Sequence, residues 1–240
     1  MINSIIHGDC LEVMKSIPDG SVDMILADLP YGTTQNKWDS VIPLDLLWKQ
    51  YKRISKSNAA IVLFAQTPFD KVLGVSNLEM LKYEWIWEKS KATGYLNAKR
   101  CPLKAHENML VFYCKQPDYY PQKALGKPFN KGLIAKENAH GTYGMSKERL
   151  CINATGDRMP RTVVYFKTPE SEGDTLHPTQ KPLALCEYLI RTYTREGELV
   201  LDNTCGSGTT CLAAKNTNRN YIGIEMDDKY FEIATNRLNG

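Results

Sequence analysis

Short apolar runs and stretches with helical spacing take turns along this chain. Val22-Asp23-Met24-Ile25-Leu26, Ala59 to Phe64, Glu198-Leu199-Val200-Leu201 and Tyr221-Ile222-Gly223-Ile224 are nearly continuous apolar segments. Each reads as a buried strand. Leu44, Leu47, Trp48, Tyr51 and Ile54 recur at the helical period, and Phe69 to Leu78, Pro182 to Tyr193 and Tyr230 to Leu238 also read as helices. Pro182 suits the first position of its helix. Ser4 to His7 adds a strand, followed by the helical set Leu11, Val13, Met14 and Ile17, which stops at Pro18-Asp19-Gly20. Tyr83 to Trp87 and His106 to Cys114 complete the strands. This alternation predicts an α/β fold whose mostly parallel sheet carries helices on both faces.

The pattern lapses in the middle. Residues 115–175 are rich in Gly, Pro, Lys, Asn and Tyr, and the one clear apolar stretch there lies within Arg161 to Phe166. A loop this long inside a compact domain calls for a functional explanation. Just before it, Lys89 to Lys104 contains five basic residues (Lys89, Lys91, Lys99, Arg100, Lys104) and no acidic one. A charge run is usually a solvated face; here it also suits a nucleic-acid surface, with Lys89, Lys91 and Arg100 as candidate phosphate contacts.

Bulk composition narrows the field modestly. A chain of 240 residues has room for one substantial domain with a small insertion. Its net charge of +3 says little about partners. The seven cysteines are odd in number, with no CxxC pair and no Cys/His spacing of the kind that binds zinc. Reduced thiols and no metal are therefore expected. With no membrane-length apolar run and no signal-peptide pattern, a cytoplasmic protein is expected.

Two stretches carry candidate chemistry. Ala27-Asp28-Leu29-Pro30-Tyr31-Gly32 follows a strand, and in open α/β sheets ligands sit beyond the carboxyl ends of strands. Asp28 supplies an acceptor carboxylate. Leu29, held extended by Pro30, can present its carbonyl as a second acceptor, and Tyr31 offers a stacking face. Such a set suits a planar group bearing an NH2, such as the exocyclic amino group of a nucleobase. Asp-x-Pro-Tyr taken alone also reads as an ordinary turn.

The second stretch is Asp202-Asn203-Thr204-Cys205-Gly206-Ser207-Gly208-Thr209-Thr210, between a strand and a helix, with a further strand ending in Glu225. In outline this is a nucleoside-binding βαβ unit. Its glycines admit a ligand close to the backbone, and the helix N-terminus favours a negative group. Glu225, at a strand tip, is placed to hold both hydroxyls of a ribose. The third glycine of GxGxxG is missing, so the match to NAD-binding units is imperfect.

Together these residues resemble the amino-methyltransferases that modify DNA. The catalytic motif of that family, (D/N/S)-P-P-(Y/F), is matched by Asp28-Leu29-Pro30-Tyr31 with Leu in second place. Its cofactor motif D-P-F-x-G-S-G-T-T is matched by Asp202 to Thr210 with Asn203 and Thr204 as departures. The motif H-P-T-x-K-P stands intact as His177-Pro178-Thr179-Gln180-Lys181-Pro182, and I-G-x-E…Y…A…R-L as Ile222, Gly223, Glu225, Tyr230, Ala234, Arg237 and Leu238. Four motifs in order are specific, and the resemblance spans most of the chain, with about residues 115–165 matching poorly. Catalytic motif first and cofactor motif last resembles the family's β class.

The resemblance implies a seven-stranded Rossmann-like methyltransferase fold, one domain over residues 1–240, with residues 115–175 as the candidate target-recognition insertion. It implies S-adenosyl-L-methionine as cofactor, with Asp9 and Cys10 near its adenine and Glu225 on its ribose. His177, Thr179, Gln180, Lys181, Asp202, Thr204, Gly206 and Gly208 would then lie around its methionine end. Asp28, Leu29, Pro30 and Tyr31 would be catalytic. Double-stranded DNA is the implied substrate, with adenine N6 favoured over cytosine N4 by the leading Asp. A homodimer and a cognate restriction endonuclease are allowed. An RNA methyltransferase, or a catalytically weak protein that binds cofactor and DNA, are the competing readings.

Overall fold

In the computed structural model the described residues are 1–32, 41–134, 149–171 and 180–240. In chain order the elements are β1 (Ser4–His7), α1 (Cys10–Met14), β2 (Val22–Asp28), α2 (Leu44–Ile54), β3 (Ser55–Ala65), α3 (Phe69–Ser76), β4 (Leu81–Thr93) and β5 (Lys104–Phe112). There follow β6 (Ala124–Leu125), β7 (Phe129–Ile134), β8 (Arg149–Asn153), β9 (Asp157–Arg158) and β10 (Val163–Phe166). The chain closes with α4 (Leu183–Tyr193), β11 (Leu199–Asp202), α5 (Thr209–Asn216), β12 (Asn220–Glu225) and α6 (Asp228–Asn239).

Two compact units divide the chain: residues 1–120 with 162–240, and residues 121–161. The larger unit holds an eight-stranded sheet in the order β1-β12-β11-β2-β3-β5-β4-β10. Seven of the strands run in one direction and β5 alone is reversed, pairing antiparallel with both β3 and β4. Strand pleating sends alternate residues to opposite faces. Ile25, Ala27, Ile61 and Leu63 enter a core with residues of α1, α2 and α3, whereas Met24, Leu26, Ala60 and Val62 join a second core with α4, α5 and α6. Both faces are thus dry, which is why β2 and β3 read as continuous apolar runs.

The sheet has one strand more than the seven implied by resemblance. The addition is β10, parallel to β4 at the sheet edge. Val164 and Phe166 pack against the second core while Val163 and Tyr165 stay exposed, the one-sided pattern of an edge strand. Its residues fall inside the interval 115–175, yet they belong to the large sheet. The smaller unit consists of two two-stranded antiparallel pairings, β6 with β9 and β7 with β8. Among the described residues no helix is long and apolar enough to cross a membrane, and no cluster of His, Cys, Asp or Glu is disposed to hold a metal ion.

Candidate active site

Strands β2 and β11 come from opposite thirds of the chain but are hydrogen-bonded neighbours, Val200 beside Met24 and Leu201 beside Ile25. Their carboxyl ends therefore open side by side. The Thr204 hydroxyl donates to the Asp28 carbonyl at 3.0 Å and pins the two ends together across 176 positions of sequence. Beyond them lies a cavity of about 480 Å³. Asp9, Cys10, Asp28, Leu29, Pro30, Tyr31, Gln180, Lys181, Asp202, Thr204, Gly206 and Glu225 all line it.

On the cofactor-motif side, Gly206 and Gly208 have φ of +51° and +76°, a left-handed backbone that glycine adopts without strain. Gly208 lies behind the wall: a Cβ there would stand 3.1 Å from that of Ala234. Glu225 fixes the turn from both directions, accepting from Gly206 N at 2.8 Å and from Met226 N and Asp227 N at 2.9 and 2.8 Å. Arg237 braces the same loop through the Ser207 carbonyl and the Thr209 hydroxyl, and the Ser207 hydroxyl reaches Gln180 at 3.3 Å. Asp202 is buried and accepts from Thr204 N at 3.2 Å; burial raises its carboxyl pKa to about 7. Asn203 accepts a short hydrogen bond from the Tyr51 hydroxyl, and its side chain also meets the Cys10 thiol. Asp9 caps α1 by accepting from Leu11 N and Glu12 N, which turns that helix start toward the cavity.

On the Asp28 side the chemistry is ionic. Lys181 Nζ lies 2.6 Å from Asp28 Oδ2 and 2.9 Å from Glu107 Oε1. The Tyr31 hydroxyl lies 2.6 Å from Asp28 Oδ1 and 3.0 Å from Glu107 Oε1. Lys89 Nζ, 2.8 Å from Glu107 Oε2, completes the group. Burial raises the Asp28 carboxyl despite the ammonium of Lys181. Burial also opposes charge on Glu107, but Lys181 and Lys89 prevail and hold it at about 2. Lys181 loses hydration too, and Asp28 and Glu107 more than offset the loss, so its pKa rises. Burial and the two carboxylates push Tyr31 well above the ordinary phenol value, which keeps it a proton donor.

Several sequence expectations take a different form here. Lys89 is not a surface cation: its side chain is 9% exposed, paired with Glu107 and set 4.8 Å over the Trp87 ring. Its charge balances a buried carboxylate, while Lys91 and Arg100 remain exposed on the β4–β5 hairpin. The Tyr31 ring stacks on Phe69 at 5.1 Å, and its hydroxyl is engaged by carboxylates. The Leu29 side chain is core, and among the described residues no hydrogen bond reaches its carbonyl. His177 and Thr179 lie outside the described residues. Glu107 was not foreseen at all. Its one signal in the sequence is that, within the strand His106 to Cys114, it shares the inward parity of Met109 and Val111.

Sheet order, glycine turn and cavity together define a Rossmann-like methyltransferase fold. The model of the DNA methylase family, which groups N6 and N4 enzymes, matches residues 22–236. This chain belongs to that family. It is 30% identical, over 99% of its own length and 68% of the relative's, to the Type II methyltransferase M.HinfI of Haemophilus influenzae. To the Type II methyltransferase M.BglII of Bacillus subtilis it is 28% identical, over 100% and 69% of the two chains. Among solved structures it is similar to an M1.HpyAVI–SAM complex, with a TM-score of 0.65, 27% identity and 98% of each chain covered. The PvuII cytosine-N4-specific DNA methyltransferase shares the fold, with a TM-score of 0.69 at 17% identity over 96% of this chain and 84% of that one.

Proposed function

We propose that this DNA methyltransferase transfers a methyl group from S-adenosyl-L-methionine to the exocyclic N6 of adenine in double-stranded DNA. The observation that carries this reading is the placement of Asp28, the Asp202–Ser207 turn and Glu225 on one cavity, with the Thr204 hydrogen bond joining Asp28 to that turn. The residues present fit that cofactor. Glu225 stands at a strand tip where ribose hydroxyls can donate to it, and positive-φ Gly206 admits close approach of a ligand to the backbone. A likeness to the M1.HpyAVI–SAM complex supports the same choice.

When bound, the cofactor supplies an already activated sulfonium methyl. The work left to the protein is positioning and charge. Asp28 and the Leu29 carbonyl accept the two N–H groups of the target amine, which frees its lone pair from the ring. These hydrogen bonds strengthen as positive charge develops on nitrogen, so they act in the transition state. The base reaches this depth only if it is turned out of the duplex. Its specificity is assigned to residues 115–175. The Type II relatives suggest a cognate restriction endonuclease acting on the same sequence. The leading Asp of Asp28-Leu29-Pro30-Tyr31 favours adenine over cytosine N4.

The test is methylation of duplex DNA with a labelled methyl donor, followed by digestion to nucleosides. N6-methyl-2′-deoxyadenosine is the expected product, and N4-methyl-2′-deoxycytidine would transfer the same mechanism to the other base. Asp28→Ala should lower turnover by about 10²- to 10³-fold, the usual effect of removing one transition-state hydrogen-bond partner, with cofactor affinity nearly unchanged. Near-normal turnover in that variant would remove Asp28 from the mechanism.

A further inference from the structure

Both oxygens of Asp28 are engaged before any substrate arrives, one by Lys181 and one by Tyr31. Each of those donors has a second acceptor within reach, and for both it is the same atom, Glu107 Oε1, at 2.9 and 3.0 Å. Both lie closer to Asp28, at 2.6 Å. The two carboxylates thus share one pair of donors, with the resting preference toward Asp28.

We propose that Glu107 is a positioning residue, the acceptor onto which Lys181 and Tyr31 turn when the amino group of the target base takes Asp28. The inference rests on the methyl-transfer reading above. A buried ammonium that loses its only partner is strongly disfavoured, so Lys181 could not release Asp28 without another carboxylate beside it. A phenol hydroxyl has a single proton, so Tyr31 can serve Asp28 or Glu107 but not both. Glu107 is fit for the part. It is 2% exposed, and Lys89 holds its other oxygen at 2.8 Å, which leaves Oε1 for the shared donors. The reversed direction of β5 brings it there: its first turn of residues lies at the end of the sheet where the parallel strands finish, with Glu107 opposite Trp87 of β4.

Glu107→Gln keeps shape and one acceptor oxygen but removes the charge, leaving Lys181 fastened to Asp28. Turnover should fall at least about tenfold while cofactor affinity stays within about twofold, because the cofactor-motif loop is untouched. A pH profile gives a readout that a purely structural role would not move. Asp28 is faced by Lys181 from the segment before α4, Tyr31 from the turn after β2, Glu107 from β5 with Lys89 behind it, and Asp202 from β11. Of these, Glu107 raises the Asp28 carboxyl. Its neutralisation should move the acid limb of kcat/KM to lower pH.

Lost pairing of Lys89 could unfold the single variant, so Glu107→Gln is also placed in a Lys89→Met background, and the double variant keeps one carboxylate, Asp28, against one ammonium, Lys181. If Glu107→Gln slows that background further and lowers its acid limb, at an unchanged melting temperature, the proposal holds. If it slows Lys89→Met no further, or leaves the limb in place, the proposal falls. Wild-type methylation of DNA is measured alongside; its absence would count against the methyl-transfer reading itself.

Discussion

Asp202 differs from Asp28 and Glu107 in having no ammonium paired with it among the described residues. Burial, with the charges of Asp28 and Glu225 adding to it, carries its carboxyl to about 7, while the Thr210 hydroxyl and Thr204 N work the other way. The folded protein therefore holds a proton that the unfolded chain gives up near the ordinary Asp value. Between about pH 4 and 7 the native state binds more protons, so this group's contribution to stability declines as pH rises through that window. A cationic ligand reverses the preference by favouring the carboxylate. Binding of S-adenosyl-L-methionine at pH 7 should release about half a proton, seen calorimetrically as an enthalpy that varies with the buffer's ionisation enthalpy. Asp202→Asn should abolish the buffer dependence.

At the same scale, Asp28, Gly206 and Glu225 could be read from sequence because each ends or follows a strand in a motif. Glu107 could not, since a lone Glu in an alternating strand ordinarily faces water. Only the tertiary pairing with Lys89 and Lys181 makes an inward Glu tolerable there.

Elements show a sharper division. The hydrophobic period located β2, α2, α4 and β12 closely, because strands buried on two faces and helices buried on one leave different spacings, and it missed the unburied start of β3 at Ser55–Asn58. Strand direction leaves no such trace. That β5 is reversed, and that β10 leaves an irregular region to join the sheet edge, follows from pairing partners distant in sequence. The β4–β5 hairpin illustrates what a charge run conceals. Lys89 is drawn inside, whereas Lys91, Lys99, Arg100 and Lys104 stand exposed around the turn Tyr95–Asn97. Replacing Lys91 and Arg100 with Gln should weaken DNA binding alike on cognate and unrelated sequences and reduce the salt slope by up to about 2. Lys89→Gln should leave that slope alone and harm turnover instead. Filter binding across a range of salt concentrations separates the two.

For the molecule as a whole, the site exists because one cleft is shared by segments that the chain meets first and last. The motif order could be read in the sequence; the hydrogen-bonded adjacency of β2 and β11 that makes the order harmless could not. A ligand seated in such a cleft stabilises both sides together. At a hundredfold excess over Kd, S-adenosyl-L-methionine should add about 2.7 kcal/mol, raising Tm by roughly 5–10 °C for a domain of this size. Asp28→Ala should retain that shift while losing turnover, which a thermal melt with and without cofactor reads directly.

The unit at 121–161 interrupts the polypeptide between these two contributions, with β2 and β3 before it and β11 and β12 after it. Severing the backbone there would yield two fragments, each bearing half of the methyl-transfer apparatus and neither complete. Fused to a pair of interacting proteins, such fragments would write a mark on DNA only where the pair had met, a heritable record of their encounter.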